Sequence, residues 1–381
     1  MIVLNEPLRI LHLTTHLNIG GITTYIYLLG QQMIAEGHQI FALSSGGECS
    51  KQYHEAGIKT LELPIKTKSE LHPKIYWSIP KVIELIQLEK IDLIHAHTRI
   101  TQVMAWWIQR KTGIPYVSTC HGFYKRRFGR RLLPAWGNRV IAISQPVADS
   151  LINDFGEEKE KVATILNAID ITGLQKRVEL KDVAAIRAEW GFNSKVPTLG
   201  IVARIVQDKG HEFLVKATKQ LLNTYSDLKV LIVGEGPYKK QIVKMVDQLG
   251  LHQHVHFIGN LSDVTKALCV IDIFVLPAIW REGFGLSIIE AMALKKPVIV
   301  TNIWALNALV RDRDNGLLIN PSDTDALVKA IKTLIDDHTL RNHVSNRGFE
   351  TVSREFSIER MSTEMTQLYR QVLNESRPQF N

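Results

Sequence analysis

The sequence predicts an α/β protein made of two Rossmann-like halves, each a parallel sheet with helices on both faces. Three observations carry this. Short apolar runs alternate with helical patterns through the first half, and a second alternating series starts at Thr198. A length of 381 residues suits two domains better than one core. The stretch REGFGLSIIEAMALKKPVIV then reads as loop, helix and strand, with Glu282 and Glu290 on either side of the turn Gly283-Phe284-Gly285.

In the first series, strands are expected at 9–13, 39–44, 91–96, 116–120, 139–143 and 162–166, with helices at 22–34, 81–88, 101–110 and 145–154. A less regular segment over 167–195 separates the halves. The second series places strands at 199–204, 229–233, 255–258, 271–276 and 297–300, and a helix at 286–294. A last helix is expected over 358–373. The first domain is therefore set at 1–175, the second at 190–357, and a C-terminal helix and tail at 358–381.

Composition narrows the class. A hydrophobic share of 45% with 22% charged residues is that of a soluble globular chain. Apolar runs stay short of the roughly 20 residues that span a bilayer, and the opening MIVLNEPLRILHLTTH reads as a first strand rather than a signal sequence. Cys49, Cys120 and Cys269 are widely spaced without a metal-ligand pattern, which fits a reducing cytoplasm. The net charge of +8 is local: residues 66–139 hold 14 Lys/Arg against 4 Asp/Glu. Such a patch attracts nucleic acid, anionic lipid or an acidic acceptor.

The end of a parallel strand is where open α/β sheets bind ligands, and a helix N-terminus there receives phosphate. Glu282 sits in such a loop, Gly283 and Gly285 let backbone approach a ligand, and Glu290 on the helix reaches toward a hydroxyl-rich part of it. This pattern resembles the Glu-x7-Glu motif of the retaining glycosyltransferases of family 4, which have the GT-B fold. The resemblance implies two Rossmann-like domains facing across a cleft, with the C-terminal helix crossing back to the first. It covers nearly the whole chain, including Asn167-Ala-Ile-Asp170, similar to the family's Asn-Gly-Ile-Asp turn.

Residue by residue, the resemblance implies a donor site on the second domain. Arg204 and Lys209 match the family's Arg-x4-Lys-Gly element and would neutralise the diphosphate of a leaving nucleotide. Glu290 would hold ribose hydroxyls, and Glu282 would orient the transferred sugar. Backbone at Gly283, Phe284, Gly285 and Leu286, and at Gly20 and Gly21 after the first strand, would assist. Ile258, in Phe-Ile-Gly-Asn, marks where relatives hold the base. Gly234-Glu-Gly-Pro237 is either a ligand contact or a conformational turn. His121 is expected at the reaction centre. His95 and His97 alternate along a strand as metal ligands do, but without a third ligand in register they are assigned to the acceptor side, and no metal or other cofactor is expected.

The segment 123–136 interleaves five basic residues with aromatic and aliphatic ones. Lys125 to Arg131 reads as an anionic-membrane docking surface, with a solvated helix or an acidic-acceptor site as the alternative. It carries no nucleic-acid motif. One departure stands out: where the family reads Thr-x-x-Gly-Gly-x-x-Glu, this chain has Trp304, Ala305 and Ala308. The expected activity is transfer from a nucleotide-diphosphate sugar to a glycan or lipid-linked acceptor of the cell envelope, in the cytoplasm at the inner face of the plasma membrane. A GT-B-like sugar-nucleotide epimerase and a non-catalytic sugar-nucleotide binder are the alternatives.

Overall fold

The structure, a computed structural model, describes residues 6–125, 128–192, 196–261, 263–280 and 282–376. The chain forms two compact units. One runs to Ala168 and includes the helix from Ile358; the other spans Ile169–Ser357.

The first unit holds a parallel sheet of β1 (Arg9–Leu13), β2 (Gln39–Ser44), β3 (Lys59–Glu62), β4 (Leu93–Ala96), β5 (Tyr116–Cys120), β6 (Arg139–Ala142) and β7 (Val162–Thr164), ordered β3-β2-β1-β4-β5-β6-β7. Central strands are buried at almost every position because helices cover both faces; β4 and β5 are wholly buried, whereas no position of the edge strand β3 is. Strand order reverses between β1 and β4, so the carboxyl ends of these two strands form a topological switch point, the place where open sheets leave a crevice. Helix Gly21–Ala35 follows β1, and Arg99–Thr112 follows β4 behind a Thr98/Thr101 capping box.

The second unit holds β8 (Leu199–Val202), β9 (Val230–Val233), β10 (Val255–Ile258), β11 (Ile273–Leu276), β12 (Val298–Thr301) and β13 (Leu317–Ile319), ordered β10-β9-β8-β11-β12-β13. Its switch point lies between β8 and β11.

The expected irregular stretch over 167–195 is corrected: it holds helices Ile171–Glu179 and Val183–Glu189, both in the second unit. Asp170 and Asp182 start them, each accepting a hydrogen bond from a backbone N–H three residues on. Helix Ile358–Glu375 packs on the first unit, with Tyr369 fully buried and Ser362 Oγ donating to Glu36. Among the described residues, no helix is long and apolar enough to cross a membrane.

Candidate active site

In the second unit, β11 ends at Leu276 and the chain turns through Pro277 to Gly285 into helix Leu286–Ala293. Gly285 has φ +93°, and a Cβ there would meet Ile288 and Leu306, so the turn requires glycine. Phe284 is buried and packs edge-on against Phe356 at 5.6 Å, which anchors the loop. The helix opening on this spot has no acidic residue in its first turn and no side-chain cap; Ile288 N and Ile289 N donate to Gly285 O, which leaves the N–H groups of Leu286 and Ser287 open to an anion. Arg281 of the motif lies outside the described residues.

Lys209 reaches the same strand end from the β8 side. A Cβ on Gly210 would strike the Pro277 carbonyl at 1.8 Å, and Ile279 N donates to Asp208 O at 2.9 Å. Gly210 is thus a packing requirement: only a bare backbone lets the β8 loop lie on the β11 loop. Lys209 Nζ pairs with Glu282 Oε2, while Glu282 Oε1 accepts from Gly283 N at 3.1 Å.

Arg204 projects from the same β8 loop, exposed and without a side-chain partner among the described residues. Its backbone is cradled by the Gly-x-Gly-Pro turn: Cβ atoms at Gly234 and Gly236 would collide with the carbonyls of Ala203 and Ile205, and Ile205 N donates to Glu235 O. Both glycines of the turn are therefore required by packing. Ile258, half-buried, ends the edge strand β10. Glu290 lies one turn into the helix, part-buried, and burial pushes its carboxyl up to about 7 against the pull of Arg177. No side chain among the described residues hydrogen-bonds that carboxyl.

At the departure from the family pattern, Ala305 takes φ +81°, a conformation suited to glycine. Trp304 next to it is 43% exposed.

In the first unit, Gly20 is extended and Gly21 opens helix Gly21–Ala35; a Cβ at either would meet nothing within 4 Å. The local fold therefore does not demand these glycines. The helix start is again free of acidic residues and side-chain caps.

His121 follows β5 and lies with three other histidines. The sequence reading that His95 and His97 lack a third partner in register is corrected: β1 pairs with β4 so that His12 stands opposite His95. His12, His95 and His97 offer ring nitrogens within 4.8 Å of one another, all buried. The signal was present in the sequence as a histidine facing the same way on the first strand; it needed the β1–β4 pairing to be read. The nitrogens point at one another at hydrogen-bond distance: His12 Nδ1 to His97 Nε2 at 2.9 Å, and His97 Nδ1 to His121 Nε2 at 3.0 Å. His95 is separately bound to Tyr369 Oη and Thr119 Oγ1, each at 2.6 Å. Burial depresses all four rings, His12 and His121 to about 3, so they are neutral at ordinary pH.

The basic segment divides. Arg126 and Arg127 lie outside the described residues. Arg130, read from the sequence as part of a docking surface, is instead buried: its guanidinium lies 4.0 Å from the Tyr124 ring centre and 4.5 Å from that of Trp136, and donates to Gln102. The two aromatic faces and the Gln102 oxygen offset part of the cost of burying this cation. Lys125 and Arg131 are exposed, as is Leu132. Arg130 and Arg131 line a cavity of about 340 Å³ with Trp136 and Asp154.

The fold and this geometry define a class: a GT-B glycosyltransferase with a basic pair and a carboxylate at the switch point of its second sheet. Residues 19–172 match Glycosyltransferase Family 4, and residues 182–351 match Glycosyl transferases group 1. The chain belongs to that family of glycosyltransferases. It is 25% identical to N-acetyl-alpha-D-glucosaminyl L-malate synthase of Bacillus anthracis, over 96% of this chain and 97% of that one. It is 27% identical to the UDP-Gal:alpha-D-GlcNAc-diphosphoundecaprenol alpha-1,3-galactosyltransferase of Escherichia coli, over 73% and 76%. Among solved structures, a Rickettsia africae glycosyltransferase superposes with a TM-score of 0.84 at 21% identity, covering 96% of this chain and 99% of its own. The Anabaena protein HepE, in complex with UDP and glucose, gives 0.81 at 21% identity, covering 95% and 99%.

Proposed function

We propose that the chain is a retaining glycosyltransferase that moves a sugar from a nucleotide-diphosphate sugar to a glycan or lipid-linked acceptor in cell-envelope synthesis. The observation that carries this is the convergence of Lys209, Glu282 and an uncapped helix N-terminus on one strand end, with exposed Arg204 on the same loop as Lys209. Two cations and the first two N–H groups of the helix stabilise the diphosphate as the bond between it and the anomeric carbon breaks. Glu282 orients the sugar, and Glu290 receives ribose hydroxyls. The acceptor hydroxyl attacks the same face of the anomeric carbon that the diphosphate leaves. Its proton passes to a departing phosphate oxygen, which retains configuration without a paired-carboxylate double displacement. His121 assists at the reaction centre. In this reading the side chains supply the positive charge, and no divalent ion is called for.

The acceptor class is supported by the printed activities of the relatives, one of which acts on a diphosphoundecaprenol-linked sugar. Placement in the cytoplasm at the inner leaflet is supported by the exposed Lys125, Arg131 and Leu132. It is supported further by exposed Leu71, on a loop that Arg99 ties to the same segment through Glu70, Gly129 O and Pro134 O.

A thermal-shift panel of UDP-, GDP- and ADP-sugars on the wild-type chain and the Arg204→Ala/Lys209→Ala double variant tests the donor site. Stabilisation by one class, lost in the variant, is expected; no stabilisation by any overturns the reading. Nucleotide release that needs an acceptor separates the transferase from an epimerase, and binding without turnover across acceptors would indicate a non-catalytic binder.

A further inference from the structure

The three rings His12, His97 and His121 form one continuous chain that joins the carboxyl ends of β1, β4 and β5. His97 is its middle member, and both of its nitrogens are engaged, one by each neighbour. A neutral imidazole has one N–H and one lone pair. If His97 donates to His121, it must accept from His12, and the reverse holds equally. The direction of the N–H groups is therefore a property of the chain, and no ring can change tautomer alone. The inner end sets the direction: His12 Nε2 is buried with no hydrogen-bond partner among the described residues, and a bare lone pair there costs less than an orphaned N–H, so His12 donates to His97, His97 donates to His121, and the His121 N–H is left on Nδ1. At the outer end, His121 is part-buried, and its Nδ1 has no hydrogen-bond partner among the described residues.

Packing keeps the rings in place. His95 packs against His97, tilted, with centres 4.1 Å apart, and is itself fixed by Tyr369 and Thr119; Tyr25 meets His121 edge-on at 4.8 Å. His97 N also donates to Leu13 O, tying the middle ring's backbone to β1.

We propose that His97, with His12 behind it, is a positioning residue that locks His121 into a single tautomer and so fixes what its Nδ1 presents outward. This is not a metal centre: nitrogens aimed at each other at 2.9–3.0 Å spend on hydrogen bonds the lone pairs a metal needs. The role assigned to His121 in the reaction rests on the functional reading above; the coupling of its tautomer to His97 does not.

The test is imidazole nitrogen NMR on the full-length chain, with the His121 signals assigned by His121→Gln. In wild type His121 should show one well-separated N–H and bare-nitrogen pair. In His97→Phe, and separately in His12→Phe, the two signals should move toward each other as both tautomers become populated. His97→Gln, which replaces one hydrogen bond, should fall between. Unchanged His121 signals in both Phe variants, with thermal unfolding showing the fold retained, overturn the proposal. So does ring-shift saturation by one equivalent of zinc in wild type, which would make the rings ligands. Turnover gives the readout a merely structural role would not move: kcat should fall at least about tenfold in His97→Phe with the donor KM unchanged. Full activity in His121→Ala would instead sink the catalytic assignment of His121 and leave the NMR result to decide the coupling.

Discussion

Lys209 and Glu282 close an ion pair over the carboxyl end of β11, so the cation assigned to the diphosphate is held by the carboxylate assigned to the sugar. Their side chains are 24% and 14% exposed, enough burial for the pair to hold its geometry. Arg204, five residues earlier, is exposed and has no side-chain partner among the described residues. The two cations should therefore respond differently to removal. Arg204→Met should leave stability within about 0.5 kcal/mol of wild type and weaken donor binding only. Lys209→Met should cost about 1–2 kcal/mol as well, because it leaves the Glu282 carboxylate short of a partner. Both should lower kcat/KM by about 10²-fold or more. Unfolding curves with and without a UDP-sugar measure both effects. Equal stability of the two variants would remove the structural half of this argument, and wild-type turnover in both would remove the catalytic half.

Glu290 gives a pH signature with a definite sign. Its carboxyl rises from 4.5 to about 7 in the folded chain because burial disfavours the charge. Between those values the folded state holds a proton that the unfolded state has released, so stability is fully present below about pH 4.5 and falls as pH climbs toward 7. The loss amounts to about 2–3 kcal/mol above neutrality. Glu290→Gln should abolish that slope, making the variant the more stable protein at pH 8 and leaving it level with wild type at pH 4.5. It should also bind the donor less tightly, since an amide is the poorer acceptor for ribose hydroxyls. A parallel fall of melting temperature with pH in both proteins would show that Glu290 is not the titrating group.

The fold was legible because alternation and burial agree: β9 and β11 are apolar throughout, and β4, β5 and β12, with a few small polar residues and His95 among apolar ones, are buried at every position, as strands covered on both faces must be. The helices between Ile171 and Glu189 were not, since short amphipathic segments capped by Asp170 and Asp182 carry little periodicity. At the site, motif spacing identified Lys209 and Glu282 singly, but their pairing depends on Gly210 lying against Pro277, a contact between segments about 70 residues apart. His12 was overlooked for the same reason, because only strand pairing brings it to His97. Arg130 was misassigned because a basic run reads as surface until aromatic rings are seen on either side of one member.

Ala305 carries a testable strain. At φ +81° an L-residue costs about 1–2 kcal/mol, which glycine avoids. Replacing it with glycine also loses a buried methyl, worth about 0.8 kcal/mol, and loosens the unfolded chain by about 0.4–1 kcal/mol. These terms nearly cancel, so Ala305→Gly should leave stability within about 1 kcal/mol of wild type. Ala305→Val has no such compensation: a β-branched side chain in this region, at a site only 4% exposed, should cost more than about 2 kcal/mol. Denaturant midpoints decide it. A tolerated valine would mean that the backbone does not hold the left-handed turn.

The basic segment yields a prediction in which neighbouring arginines behave oppositely. Lys125 and Arg131 are exposed, and each should contribute about 1 kcal/mol to binding at an anionic leaflet, or about fivefold in partitioning. Arg130 is held between Tyr124 and Trp136 and should contribute to stability, by about 1–2 kcal/mol, rather than to docking. Sedimentation with phosphatidylglycerol-containing vesicles at low salt should therefore retain the wild-type chain, retain Lys125→Gln and Arg131→Gln less well, and release all of them at high salt, where screening shortens to about 3 Å. Arg130→Met should sediment with vesicles like wild type but melt earlier. If the wild-type chain is not retained even at low salt, the exposed cations face water or an acidic acceptor, and the inner-leaflet placement falls while the donor site on the second unit stands untouched.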